Sequence, residues 1–483
     1  MAKKKNLTFS SHVSFKNSQG NASEGTLVRL SRQSVVFEVY NPYSIVQLSE
    51  VISELNIHQG DRATYDGRAV VTGLLNTGLI LIVTASLVDP WSDLTNLDPG
   101  ETLRCFVRDF VSDWEEANDR VQVPFRLAVN DLRNYLDELR RWLEHWETEA
   151  GIDMESDTAR VLDFVMDVDR EIAPRFAELN GRFEESTRAV TRKDHSIHRA
   201  FAQRELHPLL MASPFMNRAF NKPLGYAGDF QMVRMMLNEP WEGTNTFAKL
   251  VNASALRHDA PAAHRNRIHL LQTALLHETF RSLSRRFETG PRQSSSPSGV
   301  DGRVKILNIG CGPAEEVARF AREETSSSHA DFCLVDFNAE TLDFVEKNLV
   351  PEVGRLRPEL GIRTEQRSVH EILRAAEESG DAGFESDYEM VYCAGLFDYL
   401  RDATCGYLIE QFFSWVRPGG MVLVTNVTPS HSSIAMMGMV LDWNLELRTA
   451  EGMMNLAPHI GVQRSYVDDT GVNAFLEIRK PIQ

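Results

Sequence analysis

The sequence predicts a multidomain protein with a small N-terminal β-barrel, a central α-helical region and a C-terminal α/β domain. Short β-branched and apolar segments, separated by turn formers, fill residues 7–90. Apolar residues recur at helical spacing across residues 98–190. Later, an apolar run from Val304 to Ile309 leads into a Gly-x-Gly turn. That arrangement is typical of a buried strand in a parallel sheet.

A chain of 483 residues is too long for a single hydrophobic core, so several domains are expected. The segment before residue 300 is rich in Ser, Pro and Gly, which predicts a flexible surface loop. The predicted limits are 1–92 for the barrel, 93–194 for a helical hairpin or bundle, 195–290 for a helical lid region, 291–303 for the loop and 304–483 for the α/β domain.

Composition excludes several classes of protein. The formal net charge of −17 argues against binding of nucleic acid through phosphate contacts. The five cysteines are scattered without CxxC spacing, so we expect a reducing compartment, no disulfide bonds and no metal site. No apolar segment follows the lysines at residues 3–5, and the apolar run from Leu79 to Val88 is too short to span a bilayer. The expected location is the cytoplasm, without integral membrane association.

The N-terminal segment Leu27–Val39 resembles the central hairpin of a PilZ-type barrel, a family whose active members bind cyclic di-GMP. Ser31 matches the second motif of that family, but Ser34 replaces its glycine, and the arginine pair that precedes the barrel is missing. Without those arginines, the phosphates of the nucleotide lose their charge-assisted contacts. We therefore favour a degenerate PilZ-like barrel that acts as a docking or regulatory module, with a nucleotide sensor as the alternative.

The central region is predicted to contain two amphipathic helices that join near Gly151 and pack antiparallel. Their apolar stripes either form a core within one chain or make a homodimer interface. A third stripe at helical spacing precedes them and ends at Trp114. The residues of the two main stripes are Leu132, Leu136, Leu139, Leu143 and Trp146, then Val161, Val165, Val168 and Ile172.

The turn after Ile309 indicates which ligand the α/β domain takes. Gly310 and Gly312 allow the backbone to approach a ligand closely. A second apolar run ends in Asp336, where a carboxylate is well placed to accept the ribose hydroxyls of a nucleoside. The dinucleotide fingerprint requires a third glycine, but Glu315 stands there. This loop therefore suits a ligand with an adenosine and no phosphates, and we predict S-adenosylmethionine.

Residues 300–483 resemble a class I S-adenosylmethionine-dependent methyltransferase domain, the Rossmann-like fold with seven strands. The motifs occur in the family's order, although Asn308 stands where an acidic residue is commoner. The alternative is a Rossmann-like domain that has lost its ligand. The matching segments are Asn308–Gly312, Asp336, Tyr388–Gly395, Arg417–Gly420 with the strand Met421–Thr425, and the closing antiparallel strand Thr470–Ile478.

The resemblance implies a cofactor site at the carboxyl ends of the parallel strands. The glycine loop would lie under the methionine part, Asp336 on the ribose and Phe337 against the adenine. Cys393, Ala394 and Gly395 end the segment Tyr388–Gly395, which matches the family's fourth strand, and as small residues they would leave room for the sulfonium methyl group. The predicted cofactor-binding residues are Asn308, Gly310, Cys311, Gly312, Asp336, Phe337, Ser368, Val369, Cys393, Ala394 and Gly395.

The segment Asn221–Asp229 carries two glycines and a proline within otherwise helical sequence. A loop that interrupts a helix is unusual unless it has a function. We interpret it as a lid over the cofactor and acceptor that presents Tyr226 and Asp229 to the methyl group. A simple connection between helices is the alternative. Further on, Arg265 and Arg267 lie at the start of an amphipathic helix, and one of the two is predicted to bind an anionic group unless both are only solvated.

Together, the segments 222–229, 394–400 and 442–448 resemble a bacterial methyltransferase subfamily of 3-hydroxypalmitic acid methyl ester biosynthesis, whose product is an extracellular quorum-sensing signal. This resemblance covers residues 195–483 and implies that the acceptor is the carboxylate of a hydroxy fatty acid or a similar acyl compound. The alternative function is a non-catalytic regulatory protein that senses cyclic di-GMP or S-adenosylmethionine.

A carboxylate is ionised at neutral pH and needs no general base, so alignment of the reacting atoms is sufficient. A hydroxyl acceptor needs a base, for which Asp229, Asp398 and His431 are candidates. Met436, Met437 and Met439 suit an adaptable apolar pocket for an acyl chain, although a buried helix explains them equally well. The predicted catalytic residues are Tyr226, Asp229 and Asp398, and the predicted substrate residues are Arg267, Tyr399, Met436 and Trp443.

Overall fold

The computed structural model describes most of the chain. The described residues are 11–18, 20, 22–31, 33–39, 46–59, 62–76, 80–89, 107–108, 111–112, 114–115, 118–151, 158–191, 193–289, 302–379 and 383–482. Most of the predicted loop 291–303 lies outside them, as do Cys105 and three residues of the stripe that ends at Trp114, namely Leu103, Phe106 and Phe110.

The described residues form thirteen strands and a larger number of helical segments. The strands are β1 Ser11–Lys16, β2 Ala22–Leu30, β3 Ser34–Val39, β4 Val51–Gln59, β5 Arg62–Asn76, β6 Leu81–Leu87, β7 Val304–Ile309, β8 Ala330–Asp336, β9 Gly361–Gln366, β10 Tyr388–Cys393, β11 Val416–Val427, β12 Val462–Val467 and β13 Asn473–Arg479.

The α-helices are Val123–Glu149, Thr158–Thr187, His195–Leu210, Pro214–Asn221, Phe230–Leu237, Thr246–Leu256, Asp259–Thr289, Glu315–Glu323, Ala339–Phe344, Val350–Leu356, Val369–Ser379, Asp402–Trp415 and Ala450–Met454. Short 3-10 segments lie at Thr325–His329 and Phe397–Tyr399, and π-helical turns at Val345–Leu349 and Met436–Val440. Within the described residues, no helix is both long and apolar enough to cross a bilayer.

The chain divides into two compact units. The first comprises Met1–Gly228, Glu239–Arg257 and Ser432–Asn444, and the second comprises Asp229–Asn238, His258–His431 and Leu445–Gln483. Residues 195–228 belong to the first unit, together with the barrel and the long helices. The predicted domain limits stay a prediction.

In the first unit, β1 to β6 close into a barrel with the order β1-β2-β3-β6-β5-β4. Alternate side chains such as Val35, Phe37 and Val39 are buried in its interior. The structure thus confirms the small closed barrel expected from the sequence. Ser31 closes the β2–β3 turn, where its hydroxyl donates to the Ser34 carbonyl at 3.0 Å. The resemblance to a PilZ-type barrel stays a prediction.

The helices Val123–Glu149 and Thr158–Thr187 lie antiparallel in the same unit. Asp131, near the start of the first helix, forms an ion pair of 2.8 Å with Arg182, near the end of the second. Conversely, the ring of Trp146 stacks on that of Phe164. This pairing confirms the predicted central helical region, whereas a homodimer interface remains a prediction.

The second unit contains a seven-stranded sheet with the order β12-β13-β11-β10-β7-β8-β9. All neighbouring pairs from β9 to β11 are parallel, and β13 runs antiparallel to both β11 and β12. Apolar clusters cover both faces, so the sheet is the middle of three layers. This order and direction confirm the predicted seven-stranded Rossmann-like fold. The strand order reverses between β7 and β10, where ligands bind in such sheets.

One predicted turn is part of a strand. The segment Arg417–Gly420 lies inside β11, whose pairing with β10 shifts from Tyr388↔Val416 to Met390↔Met421. Across this shift, β11 contains three more residues than β10. The Pro-Gly-Gly segment therefore bulges out of the ladder. The turn chemistry was identified correctly, but it interrupts the strand's pairing rather than preceding the strand.

Candidate active site

The glycine loop after β7 is a tight turn with left-handed backbone at Gly310 (φ 72°) and Gly312 (φ 53°). The backbone N–H groups of Gly310 and Cys311 both donate to the Val335 carbonyl, at 2.8 and 3.0 Å. These bonds attach the loop to the end of β8. The Cys311 side chain is buried, and this burial raises the pKa of its thiol.

Asp336, the last residue of β8, lies beside this loop. Its Oδ2 accepts from the Gly312 N–H at 3.1 Å, and its Oδ1 accepts from the Asn338 N–H at 3.0 Å. Burial raises the pKa of the carboxyl group to about 6, an increase that these hydrogen bonds partly oppose. Two amide donors hold this carboxylate in one orientation at the carboxyl end of β8.

A buried polar cluster lies at the end of β7. Asn308 donates from Nδ2 to Oε1 of Glu316 at 3.1 Å, and the Tyr392 hydroxyl donates to the same oxygen at 2.8 Å. Glu316 belongs to the first turn of the helix Glu315–Glu323 and is only 6% exposed. Burial raises the pKa of this carboxyl group, whereas the bond from Tyr392 lowers it. Among the described residues, no group donates to Oδ1 of Asn308.

The end of β10 faces a buried arginine. Gly395 has a left-handed backbone (φ 94°), and a Cβ at this position would lie 3.1 Å from Nη2 of Arg267. Nη2 also contacts Nδ1 of His264 at 2.6 Å. Arg267 is only 8% exposed, and no carboxylate of the described residues lies within ion-pairing distance of it. Of the other predicted residues here, Cys393 is buried and Ala394 is half-buried.

Asp398 follows β10 within the 3-10 segment Phe397–Tyr399. Its Oδ1 accepts from the Val427 N–H at 2.6 Å, and it is 4% exposed. Burial raises the pKa of its carboxyl group, and the positive charge of Arg267 opposes this increase. The carboxyl group is thus fixed between the ends of β10 and β11, whereas Tyr399 is half-buried.

The residues predicted to contact the adenine lie after β8 and β9. Phe337 is half-buried, and its carbonyl accepts from the Gln366 side chain at 3.2 Å. The Ser368 hydroxyl donates to Glu371 at 2.9 Å and accepts from the Glu371 N–H, which caps the helix that begins at Val369. This hydroxyl therefore has a structural partner already.

In the predicted lid, Asp229 begins the helix Phe230–Leu237. Its Oδ1 accepts from the Met232 N–H at 3.0 Å, and the side chain is buried, which gives this acid an N-cap role. Tyr226 is half-buried. Lys222 is buried in the first unit, where its ammonium donates to the Leu441 carbonyl at 2.8 Å. Burial lowers the pKa of Lys222 to about 8.

The predicted acyl-chain segment also belongs to the first unit. Met436, Met437 and Met439 are buried within a π-helical turn, and Trp443 is buried just after it. The segment is held by Asp442, which accepts from Arg199 at 2.5 Å and from Gln203 at 2.9 Å. His431, the other candidate base, has a pKa lowered to about 4 by burial.

The second unit thus brings together the glycine loop, Asp336, Gly395 and Arg267 at the carboxyl ends of the parallel strands. Tyr226, Met436 and Trp443 belong to the first unit. The sequence analysis missed Glu316 and Tyr392. One signal was available, because Glu316 precedes the fully buried Phe320 by four residues and so lies on the same apolar side of its helix.

No protein-family model matches the chain, and no curated protein matches it. Among solved structures, a possible exported protein from Bordetella parapertussis is 16% identical, with 55% of this chain and 86% of that chain covered and a TM-score of 0.40. Magnesium protoporphyrin IX methyltransferase from Synechocystis PCC 6803, with bound S-adenosylhomocysteine, is 9% identical, with 52% and 93% covered and a TM-score of 0.34.

A S-adenosylmethionine-dependent methyltransferase from Methanosarcina mazei is 14% identical, with 38% of this chain and 95% of that chain covered and a TM-score of 0.27. At identities and scores this low, the three similarities assign neither a ligand nor a reaction to this chain.

Proposed function

We propose that the chain is a S-adenosylmethionine-dependent O-methyltransferase that acts on the carboxylate of a hydroxy fatty acid or a similar apolar acid. The observation that carries this proposal is the hydrogen bond between Asp336 and the glycine loop at the point where the strand order reverses. A fixed carboxylate there accepts hydroxyl groups of a ribose.

The loop fits a nucleoside better than a dinucleotide. The N–H groups of Gly310, Cys311 and Gly312 all have partners within the protein, so the loop does not offer them to a phosphate. These features support S-adenosylmethionine, for which Gly310, Gly312 and Asp336 would hold the methionine part and the ribose. When bound, the cofactor supplies an activated methyl group.

Arg267 supports an acidic acceptor. Arg267 is buried and forms no direct ion pair among the described residues, although its positive charge lowers the pKa of the buried carboxyl groups of Asp398 and Glu316. An anionic acceptor would add the direct charge-assisted hydrogen bonds that the guanidinium lacks. Its position against Gly395 places that charge at the end of β10, beside the proposed cofactor residues. Arginine binds a carboxylate through two parallel hydrogen bonds, which fixes the orientation of the acceptor.

For this acceptor the protein has little chemistry to perform. The carboxylate is ionised at neutral pH, so the work of Arg267 is to orient it, and the buried surroundings exclude water. A hydroxyl acceptor would instead require a base. Asp398 suits that role because its pKa is raised while it remains fixed by the Val427 N–H. Tyr226, Asp229, Tyr399, Met436 and Trp443 stay predictions as acceptor residues.

The test is incubation with S-adenosylmethionine labelled in its methyl group and with 3-hydroxypalmitic acid, followed by mass spectrometry. We expect a labelled methyl ester with the wild type and at least tenfold less with Arg267→Gln, because a charged hydrogen bond contributes about 1.5–3 kcal/mol. Arg374→Gln, at an exposed arginine that pairs with Glu378, is the matched control and should be as active as the wild type. Labelled product on a hydroxyl oxygen would contradict the carboxylate assignment.

A further inference from the structure

The guanidinium of Arg267 is bonded to a neutral partner rather than to a carboxylate. His264 and Arg267 are three residues apart on the helix Asp259–Thr289, so their side chains lie on the same face of it. Nη2 of Arg267 lies 2.6 Å from Nδ1 of His264. Arginine nitrogens only donate, so Nδ1 is the acceptor and carries no proton. The imidazole therefore has its proton on Nε2 and is uncharged.

The surroundings of this imidazole keep it uncharged. Desolvation lowers the pKa of His264 well below its usual range, and the positive charges of Arg267 and Arg265 lower it further. Arg265 is itself held in place, because its Nη1 donates to the Met236 carbonyl at 2.9 Å. At neutral pH, His264 thus accepts a hydrogen bond without contributing a charge.

The backbone of Gly395 bounds the same guanidinium on another side. A Cβ at position 395 would lie 3.1 Å from Nη2, 3.4 Å from Nη1 and 3.5 Å from Cζ of Arg267. The hydrogen bond to His264 and this close approach together restrict how the side chain can turn. The orientation of the guanidinium at the end of β10 is therefore fixed from two directions.

The choice of partner matters for the charge of Arg267. A carboxylate at position 264 would also orient the guanidinium, but the resulting ion pair would have no net charge with which to attract an acidic acceptor. A neutral imidazole supplies an equally directional acceptor and leaves the positive charge in place. The charge of Arg267 does lower the pKa of Asp398 and Glu316, but neither carboxylate forms an ion pair with it among the described contacts.

We propose that His264 is a positioning residue for the acid acceptor, because its Nδ1 orients the guanidinium of Arg267 without neutralising it. This inference rests on the proposed function, in which Arg267 binds the carboxylate of the acceptor. It adds a cause of specificity: the site favours an anionic acceptor over a neutral one of the same shape, and that preference depends on the neutral side chain at position 264.

Calorimetric titration of the full chain tests this assignment, with 3-hydroxydecanoate and its neutral amide as ligands and S-adenosylhomocysteine present. His264→Leu removes the acceptor, so the affinity for the acid should fall about tenfold while that for the amide changes little. In His264→Asn, Oδ1 takes the place of Nδ1, and the affinity for the acid should stay within about threefold of the wild type. His264→Asp has the same shape as His264→Asn but carries a charge, and it should bind the acid at least about tenfold more weakly than that variant.

A merely structural role for His264 would give a different pattern. In turnover assays, the KM for the acid should rise in His264→Leu and His264→Asp, whereas the Kd for S-adenosylmethionine should equal that of the wild type. An equal loss of affinity for the acid and the amide would show that His264 only packs, and would overturn the proposal.

Two further results would also overturn it. Wild-type affinity for the acid in His264→Leu would remove the orienting role, and equal affinities in His264→Asn and His264→Asp would remove the role of the neutral partner. If His264→Leu does not fold, the comparison of the asparagine and aspartate variants decides by itself. Failure of the wild type to bind the acid would instead contradict the proposed function.

Discussion

Oδ2 of Asp336 accepts a hydrogen bond of 3.1 Å from the backbone N–H of Gly312, which ties the acid at the end of β8 to the glycine loop after β7. This one contact therefore positions both the end of β8 and the loop after β7. An acceptor that holds the loop and also binds the ribose must be ionised to do both, because a protonated carboxyl group loses acceptor capacity.

The affinity for S-adenosylmethionine should fall with decreasing pH. The pKa of Asp336 is about 6 in the folded chain, against an ordinary 3.8, because of burial. Protonation therefore favours folding, and this contribution to stability, fully present below pH 3.8, is lost as the pH rises through about 6. The affinity for the ligand depends on pH in the opposite direction, because the ionised carboxylate is the form that binds the ribose. Calorimetry should show affinity about tenfold weaker at pH 5 than at pH 7. In Asp336→Asn the pH dependence should disappear, and an unchanged slope would assign it to another group.

Asp229 combines a structural role with a predicted catalytic one, and two substitutions separate them. Asparagine is an equally good N-cap, so Asp229→Asn should leave the free energy of unfolding nearly unchanged. Asp229→Ala should lower it by about 0.5–2 kcal/mol in urea denaturation. If the loop is a lid, Asp229→Asn and Tyr226→Phe should nonetheless reduce turnover, by about a hundredfold for a displacement of ~1 Å. Full turnover in both variants would show that Asp229 acts only as an N-cap.

Gly395 should be intolerant of any side chain. Its φ of 94° is unfavourable for other residues, and a Cβ would approach Nη2 of Arg267 to 3.1 Å. Gly395→Ala is expected to cost about 1–2 kcal/mol of stability. Because Arg267 must move, the KM for the acid acceptor should rise more than the Kd for S-adenosylmethionine. The opposite pattern would mean that Gly395 contacts the cofactor and that Arg267 does not hold the acceptor.

Removal of one partner from the buried ion pair between Asp442 and Arg199 should strongly destabilise its unit. Both side chains are buried, and Gln203 donates to the same carboxylate. Asp442→Ala leaves a buried arginine without its partner and is expected to lower the free energy of unfolding by about 3–5 kcal/mol. The exposed pair of Arg170 with Asp167 provides the control, because Asp167→Ala should cost less than ~1 kcal/mol. Equal effects in urea denaturation would contradict this account.

The strands and the glycine loop were predictable because their signals are local. An apolar run such as Val304–Ile309 is typical of a strand that is buried on both faces. The backbone after this strand is left-handed at positions 310 and 312, a conformation that favours glycine. The bulge at Arg417–Gly420 was recognised as turn chemistry, but its position inside β11 depends on pairing with β10, which is not a local property.

The polar contacts were not predictable to the same degree. The partners Arg199 and Asp442 are 243 residues apart, and no spacing rule connects them. Asp229 was interpreted as a lid residue from the glycines around it, although an acid before the apolar segment Phe230–Leu237 is also an N-cap signal. The contact of Glu316 with Asn308 requires the rotation of a helix relative to a strand, which only the tertiary structure fixes.

The central claim is that the glycine loop and Asp336 bind S-adenosylmethionine, and calorimetric titration of the wild type and of Asp336→Ala tests it most directly. The account predicts saturable binding by the wild type well below millimolar ligand. It also predicts a loss of about 1.5–3 kcal/mol of binding free energy in Asp336→Ala, because a charged acceptor of hydroxyl groups is removed. No binding by the wild type at millimolar S-adenosylmethionine, or equal affinity in the two proteins, would contradict it.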